Sequence, residues 1–319
     1  MILKKTFLTL SLMDKPKYKI IVDCDPGLGK KAADVDDGLA LFLMLNNPDI
    51  FDIIGITTIY GNTPVEVGYK LIKKYLDLAN KTEIPHFLGA SSKYALGTLT
   101  DASKFLIDKI QEYENELILL TLGPLTNIAT VFQVFPHLLE KVKKIIFMGG
   151  TIEPSSAFSP PFIFEDGLSE MVEFNFQNDP IAAKFLIETE TMLPRIGMGL
   201  DICCQAVFKE EHLKRIQSIK NPITNYIVEH TRSWLNIWQF NKSNGFYPFD
   251  TFVPIYLIKP ELFITNDLYL SVDTKEIPGK IKILEEKREN STPITYCMNF
   301  KTKNGNKELM EILVSSLIK

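Results

Sequence analysis

The stretch YKIIVDCDPG, residues 18–27, decides the fold. Its first half is mostly apolar and its second half carries two aspartates and a Pro-Gly pair, a pattern typical of a buried strand that ends in a loop. A helix is predicted next, from about Gly38 through the apolar run 39–45, with its end near Asn47-Pro48. A strand that leads through a loop into a helix predicts a parallel sheet covered by helices.

The same alternation of strands and helices continues along the chain. The patterns predict strands at 53–60, 117–122, 144–148 and 193–199, and helices at 65–79, after Gly123-Pro124, at 179–188 and at 221–241. Peripheral strands are expected within 268–303, before a C-terminal helix at about 307–317. No linker or shift in composition divides the chain. We therefore predict one α/β domain over residues 18–319, with a mainly parallel central sheet, flanking helices and a Rossmann-like core, after a flexible tail over residues 1–17.

The composition excludes several classes of protein. The 319 residues are 45% hydrophobic and 23% charged, with a mean hydropathy of +0.04, which are values of a folded globular chain rather than a disordered or fibrous one. The net charge of −4 is spread along the chain, so no surface for nucleic acid is predicted. No run approaches the roughly 18 apolar residues that a membrane-spanning helix needs, and the short run 6–13 lacks the cleavage site of a signal peptide.

The four cysteines do not form the pattern of a metal site. The chain has no CxxC pair and no histidine at metal-ligand spacing from a cysteine. We therefore expect four reduced and mostly buried thiols, which fits a reducing compartment such as the cytoplasm. The four are Cys24, Cys203, Cys204 and Cys297.

Aspartates are concentrated where the first strand ends. Five of them lie within residues 23–37, and a further one, Asp250, follows the aromatic run 246–249. Ligands of such folds bind outside the carboxyl ends of the strands. Carboxylates held at short range must be protonated or share a cation, and hard oxygen ligands suit Ca²⁺ or Mg²⁺ better than Zn²⁺. The alternative is a solvated acidic loop in which Asp36 or Asp37 caps the following helix.

Several motifs, taken in order, resemble the inosine-uridine nucleoside N-ribohydrolase family. The first is VDCDPG at 22–27 with DDGLAL at 36–41, and the others are TTIYGN at 57–62, LTLGPLTNIA at 120–129, FMGG at 147–150, EFN at 173–175, NDP at 178–180 and GLD at 199–201. The resemblance implies a nucleoside hydrolase-like fold and the Ca²⁺-dependent hydrolysis of the N-glycosidic bond of ribonucleosides, releasing nucleobase and ribose. It also implies a cytoplasmic homo-oligomer, a dimer or tetramer, with a small-molecule nucleoside as substrate.

The resemblance also implies roles for particular residues. The calcium ligands would be Asp25, Asp37, the backbone carbonyl of Leu122, and Asp250. Asp25 would also take the proton of the attacking water, and a ring of carboxylates would favour an oxocarbenium-like transition state. The ribose hydroxyls would be held by Asp36, Asn62, Glu173 and Asn175.

Ordinary structural roles remain open for three of these residues. Asn62 could serve only turn chemistry, and Asn175 could satisfy backbone groups in a loop. Glu173 lies between apolar neighbours and is expected to point to one side of an extended segment, where its carboxylate needs a partner.

The sequence departs from the family pattern at three places. About seven extra residues, Gly29 to Val35, lie before Asp36, and the metal geometry requires that they bulge outward. Otherwise Lys30 or Lys31 would neutralise the acidic loop. Phe249 stands where many members carry a histidine that protonates the leaving base, and residues 91–100 lack the usual histidine as well. The candidates to replace that acid are Tyr247 as a proton donor and Trp238, Phe246 or Phe249 as stacking partners of the base.

Two other functions remain open at this point. One is a homologue that binds nucleosides but has lost catalysis together with the histidine. The other is a Mg²⁺-dependent phosphohydrolase of the haloacid-dehalogenase type, whose first motif also places two aspartates at i and i+2 after a strand. That class expects Thr or Val four residues after the first aspartate, where this chain has Gly27, and no later Lys and Asp pair is found.

Overall fold

The computed structural model describes residues 18–153, 172–287 and 291–319. The predicted tail over residues 1–17 lies outside the described residues. The strands within them are β1 (Tyr18–Cys24), β2 (Phe51–Thr58), β3 (His86–Phe87), β4 (Ile118–Thr121), β5 (Lys144–Met148), β6 (Arg195–Met198), β7 (Phe263–Leu268), β8 (Leu270–Val272), β9 (Ile281–Ile283) and β10 (Ile294–Phe300). The helices are α1 (Asp36–Leu45), α2 (Val65–Leu78), α3 (Asp101–Glu112), α4 (Thr126–Val134), α5 (Phe174–Asn178), α6 (Pro180–Glu188), α7 (Leu200–Cys203), α8 (Glu210–Gln217), α9 (Pro222–Phe240), α10 (Phe252–Ile258) and α11 (Gly305–Leu317).

Eight of these strands form the central sheet, in the order β3-β2-β1-β4-β5-β6-β10-β7. Every neighbouring pair in it is parallel except β10 with β7. The strand order runs outward in opposite directions from β1 and β4, so a topological switch point lies between these two strands. Ligands of open α/β sheets bind in the crevice that such a switch point leaves outside the carboxyl ends.

Helices cover both faces of this sheet, as predicted. Along β1, Ile20, Val22 and Cys24 pack into a core with α1, α9, α10 and α11, whereas Ile21 packs into a second core with α3, α4 and α6. A strand buried on both faces needs apolar residues at successive positions. This requirement explains why the opening stretch is apolar without strict alternation.

The expectation for residues 268–303 is wrong in one respect. The short strands β8 and β9 do pair as a separate antiparallel ribbon at the periphery. In contrast, β10 enters the central sheet and pairs in parallel with β6. Tyr296 and Cys297 are both fully buried, on opposite faces of β10, because helices cover the sheet on each side there.

The boundaries of two helices bear on the site. Helix α1 begins at Asp36, two residues before the predicted start, so Asp36 and Asp37 form its first turn. Helix α9 is the predicted long helix, and its N-terminus is capped by the side chain of Asn221, which accepts a hydrogen bond from the backbone N–H of Thr224. Pro222 occupies its first turn, where a missing N–H leaves no partner unsatisfied.

All four cysteines are free thiols and are buried, as predicted. Burial raises the pKa of the Cys24 and Cys203 thiols well above the usual range, so both stay protonated. Among the described residues, the structure contains no helix with both the length and the apolar character needed to cross a membrane.

A buried arginine ties the end of α6 to the start of β10. Arg195, at the beginning of β6, is 1% exposed. Its guanidinium donates hydrogen bonds to the backbone carbonyls of Leu186, Ile187, Thr189 and Thr292 and to the hydroxyl of Ser291. The carbonyls at the end of a helix have no partner within the helix, and a cation is favoured at that end.

We predict that Arg195→Met lowers the free energy of unfolding by about 3 kcal/mol, because methionine fills much of the same volume but leaves several buried acceptors without donors. Urea unfolding followed by circular dichroism measures the change. The control is Arg232→Met, which removes only a half-exposed ion pair with Glu210 and should cost less than about 1 kcal/mol. Equal losses in the two variants would contradict the role assigned to Arg195.

Candidate active site

The sequence-predicted site residues come from chain segments that meet at the switch point. Asp25 directly follows β1, and Leu122 directly follows β4. Asn62 lies in the turn after β2, and Asp250 lies in a 3₁₀ turn that precedes α10. The carboxyl ends of parallel strands point to the same edge of a sheet, so residues far apart in sequence share one pocket.

Three carboxylates form a tight cluster at this edge, which we call the acid cluster. Asp36, Asp37 and Asp250 each offer an oxygen atom within 4.8 Å of the others, and all three side chains are buried. The backbone N–H of Asp250 donates to the carboxylate of Asp36 over 3.2 Å. Burial, and then the neighbouring carboxylates, raises the pKa of Asp37 and Asp250 well above the usual range. Such a set of hard oxygen ligands fits a divalent cation such as Ca²⁺.

Asp25 lies against this cluster. Its backbone N–H donates to the carboxylate of Asp37 over 3.1 Å, and its own carboxylate accepts the backbone N–H of Asn62. The carboxylate is wedged between two glycines, because a Cβ atom would come within 2.0 Å of it at Gly61 and within 2.5 Å at Gly123. Burial raises the pKa of Asp25, and the charges of other aspartates raise it further, so this carboxylate has a strong tendency to bind a proton.

The extra residues before Asp36 bulge outward, as the metal geometry requires. Lys30 and Lys31 are exposed, while the chain returns to the pocket at Asp34. Burial, and then the neighbouring carboxylate of Asp36, raises the pKa of Asp34 well above the usual range. The sequence placed Asp34 in the acidic loop but gave it no role of its own. The feature that could have indicated a role is its spacing: Asp34 lies two residues before Asp36, where α1 begins.

The amide of Asn62 is engaged with the same segment. The backbone N–H of Asp34 donates to Oδ1 of Asn62 over 2.9 Å, and Nδ2 of Asn62 donates to the carbonyl of Asp34 over 3.2 Å. Asn62 therefore has a structural role in addition to the predicted ribose contact. The contact was hidden in the sequence because Asp34 and Asn62 are on different elements.

Glu173 is the N-cap of α5: its own backbone is extended, as expected, but the extended stretch ends there because α5 begins at Phe174. Its carboxylate accepts the backbone N–H groups of Asn175, Phe176 and Gly150 at 2.7 to 3.0 Å. These bonds satisfy a carboxylate that is 2% exposed. The carboxylate caps the helix because the first N–H groups of a helix have no acceptors within the helix itself.

Asn175 meets the carbonyl that was predicted to bind metal. Its Nδ2 donates to the carbonyl oxygen of Leu122 over 2.6 Å and to that of Met148 over 3.2 Å. Asn175 therefore satisfies backbone groups, as one sequence alternative stated, and does so beside the ends of β4 and β5. A carbonyl oxygen has two lone pairs, so Leu122 retains one for another partner.

Three of the four aromatic candidates form a row that ends beside the acid cluster, whereas the fourth, Phe246, is fully buried and stacks on Phe208. The rings of Trp238 and Tyr247 meet edge to face at 5.5 Å, and those of Tyr247 and Phe249 lie 5.8 Å apart. Trp234 extends the row by an edge contact with Trp238 at 6.4 Å, which is the packing expected at i and i+4. Phe249 directly precedes Asp250. Burial raises the pKa of Tyr247, so its hydroxyl keeps its proton.

A buried hydrogen-bond network around Asp23, which the sequence did not reveal, lies next to the pocket. The carboxylate of Asp23 accepts the hydroxyl of Thr57 at 2.6 Å and Nδ2 of Asn127 at 2.8 Å. Its other oxygen has no hydrogen-bond partner among the described residues. Burial raises the pKa of Asp23 to about 7. The network joins β1, β2 and α4 at a position two residues before Asp25. The sequence feature that could have indicated it is an aspartate inside an apolar strand.

Comparison with known proteins agrees with this geometry. The sequence model of the family "Inosine-uridine preferring nucleoside hydrolase" matches residues 20–304. The pyrimidine-specific ribonucleoside hydrolase RihA of Escherichia coli O1:K1 is 26% identical over 283 residues, which cover 80% of this chain and 84% of that protein.

Solved structures show the same fold. A plant nucleoside hydrolase, PpNRh1, has a TM-score of 0.79 at 21% identity and covers 95% of this chain and 99% of its own. A purine-preferring ribonucleoside hydrolase from Gardnerella vaginalis has a TM-score of 0.78 at 21% identity and covers 94% of this chain and 99% of its own.

The family match over residues 20–304 therefore defines a hydrolase of the nucleosidase class. The chain belongs to the inosine-uridine preferring nucleoside hydrolase family. This membership confirms the resemblance seen in the ordered motifs.

We predict that Asp250→Asn raises the melting temperature by about 2 °C or more in the presence of EDTA near neutral pH, because the neutral amide replaces a carboxyl group whose ionisation beside other buried carboxyl groups is costly. Differential scanning calorimetry measures the change. The exposed Asp49→Asn serves as the control and should leave the melting temperature unchanged. A lower melting temperature for Asp250→Asn would show that the acid cluster is not repulsive in the ion-free protein.

Proposed function

We propose that this protein hydrolyses the N-glycosidic bond of ribonucleosides in a Ca²⁺-dependent reaction that releases nucleobase and ribose. The observation that carries the proposal is the acid cluster at the switch point, with Asp25 against it. Three buried carboxylates within 4.8 Å are costly unless a cation binds them. Membership of a nucleoside hydrolase family indicates the reaction in which that cation would take part.

Calcium would be held by Asp25, Asp37, the carbonyl of Leu122, and Asp250, with Asp36 in contact with Asp250. When bound, such an ion lowers the pKa of a water ligand and orients it. The burial of the acid cluster excludes bulk water, which strengthens every charge interaction there. The raised pKa values mean that ion binding should displace protons from these carboxyl groups.

Asp25 would act as the general base. As a proposed ligand of the ion, its carboxylate would lie beside the water that the ion orients. The backbone N–H of Asn62 and the glycines on either side hold it in one orientation. Fixed orientation matters because a general base must lie within hydrogen-bond reach of the proton it removes.

The sugar would be held by Asp36, Asn62, Glu173 and Asn175, whose side chains border the same edge of the sheet. Carboxylates and amides of this kind accept and donate hydrogen bonds to vicinal hydroxyl groups. Glycoside cleavage passes through a transition state with oxocarbenium character. The negative charge of the acid cluster favours the positive charge that develops on the sugar ring.

The leaving base would be handled by the aromatic row. Tyr247 stays protonated and is the candidate donor to the base. The indole Nε1 of Trp238 is buried and has no hydrogen-bond partner among the described residues, so it could donate a hydrogen bond, though not a proton, to the base. Phe249 replaces the expected histidine and offers a ring face for stacking.

Base preference is tested directly with a panel of nucleosides. The related RihA is named for pyrimidine ribonucleosides, and the related Gardnerella enzyme is named for purines. Uridine, cytidine, inosine and adenosine, each with its 2′-deoxy form, therefore make the first panel. The alternative function, a nucleoside-binding homologue without catalysis, is favoured by Phe249 at the histidine position. Calorimetry that shows uridine or inosine binding without release of base would select it.

The setting of the enzyme is proposed from the family resemblance. We expect a homo-oligomer, a dimer or tetramer, in the cytoplasm, serving purine or pyrimidine salvage. The four free and buried thiols are in keeping with a reducing compartment. Light scattering coupled to gel filtration measures the oligomeric state.

We predict that the purified enzyme releases free base from at least one ribonucleoside with Ca²⁺, and that Asp25→Asn lowers kcat about 10²- to 10⁴-fold because the general base is lost. Chromatography of the free base measures the rate, with the exposed Asp49→Asn as control. EDTA should abolish wild-type turnover and added Ca²⁺ should restore it. Undiminished turnover by Asp25→Asn would remove this residue from its assigned role.

We predict that Tyr247→Phe lowers kcat about tenfold or more for uridine but leaves hydrolysis of p-nitrophenyl riboside nearly unchanged. A nucleobase leaves poorly without a proton donor, whereas p-nitrophenolate needs none. Steady-state kinetics with both substrates measure the difference. Equal losses on the two substrates would show that Tyr247 acts by packing in the aromatic row rather than as an acid.

A further inference from the structure

The extra segment before α1 is anchored at both ends. At its beginning, the carbonyl of Leu28 accepts the hydroxyl of Tyr75 on α2 over 2.5 Å and that of Tyr226 on α9 over 3.2 Å. Gly29 allows this close approach, because a Cβ atom there would come within 2.0 Å of the Tyr226 hydroxyl. Its φ of +113° also favours glycine.

The end of the segment is anchored on Asn62. The backbone of Asp34 and the amide of Asn62 exchange two hydrogen bonds, which fix the orientation of that amide. Gly27 lies directly beneath this junction, since a Cβ atom there would come within 2.4 Å of the Asp34 carbonyl and within 2.7 Å of Nδ2 of Asn62. The position of Asn62 thus depends on the position of the extra segment.

The chain between the two anchors is short and bonded to itself. The backbone N–H of Lys30 donates to the carbonyl of Gly27, and that of Ala33 donates to the carbonyl of Lys30. Two consecutive turns of this kind leave little freedom for one anchor to move without the other. The aromatic ring of Tyr226 also packs on Phe42 of α1, which holds its side of the contact in place.

The two anchors belong to different halves of the site. Asn62 lies on the proposed sugar side, beside Asp25. Tyr226 lies on α9, the helix that also carries Trp234 and Trp238 of the aromatic row. The segment therefore connects the sugar side of the pocket to the helix of the proposed base side.

We propose that residues 28–34 form a strap that positions Asn62 and couples it to α9, with Tyr226 as the positioning residue at the helix end. The kinetic part of this inference rests on the proposed function, whereas the structural part does not. Loss of the Tyr226 hydroxyl removes one of the two hydrogen bonds that anchor Leu28 and, since the other runs to Tyr75 on α2, uncouples the strap from α9. The orientation of the Asn62 amide relaxes as a result. Asn62 then holds a ribose hydroxyl less firmly.

Hydrogen exchange and fluorescence test the structural part on the full chain without any substrate. Tyr226→Phe should speed amide exchange in peptides that contain Asp34 and Asn62, and should change tryptophan emission, because both tryptophans of the chain lie on α9. Gly29→Ala, which pushes a methyl group into the same contact, should act in the same direction. The matched control is Tyr69→Phe on α2, where the ring packs on His86 away from the strap.

Two outcomes of this experiment would overturn the proposal. One is exchange at Asp34 and Asn62 that equals wild type in both Tyr226→Phe and Gly29→Ala. The other is an equal increase in Tyr69→Phe, which would indicate general loss of stability rather than release of a strap. Faster exchange confined to the strap variants supports it.

A double-mutant cycle tests the kinetic part. Tyr226→Phe should raise KM for the best ribonucleoside of the panel about three- to tenfold, the worth of one hydrogen bond, with a smaller effect on kcat. In an Asn62→Ala background the same change should have no further effect on KM, because the residue that the strap positions is gone. Additive effects on KM would overturn the coupling. If wild type shows no turnover, the proposed function fails, while the exchange experiment still decides the strap.

Discussion

Repulsion between buried carboxylates is the constraint on which the rest of the site depends. Asp36, Asp37 and Asp250 approach one another in a buried place, where burial, and then the neighbouring carboxylates, raises the pKa of Asp37 and Asp250. The fold holds them there with backbone donors, such as the N–H groups of Asp25 and Asp250, and with the packing of α1 and α10. This unfavourable cluster lies where the parallel strands end. A cation that binds there would therefore stabilise the folded protein relative to its ion-free form.

Much of the fold follows from the sequence by simple physical rules. Buried parallel strands read as apolar runs, and the helices between them show capping residues and proline at first turns, as at Asp179-Pro180 and Asn221-Pro222. The place of β10 could not be predicted, because a strand near the end of the chain can pair with any open edge. Its pairing with β6 is decided by long-range packing of residues such as Tyr296.

The site, like the fold, has a part that the sequence predicts and a part that only the three-dimensional packing decides. Asp25, Asp36 and Asp37 were predictable together because they lie in the loop between the carboxyl end of β1 and the start of α1. Asp250, in the turn before α10, was joined to them through the family resemblance. The bonds of Asn62 to Asp34, and those of Glu173 to the first N–H groups of α5, were not predictable in detail. Each depends on how two segments come together in space, and a sequence pattern describes only one segment at a time. For the same reason Asp23 showed its network with Thr57 and Asn127 only in three dimensions.

The position of β10 has a consequence for how the chain is made. Because residues 294–300 lie between β6 and β7, both of these strands leave the ribosome before the strand that joins them. During that interval the edge of β6 has unpaired backbone groups, and an open edge of this kind is where another chain can add. Closure of the sheet therefore waits until residues 294–300 have been made, and the edge of β6 stays open until then.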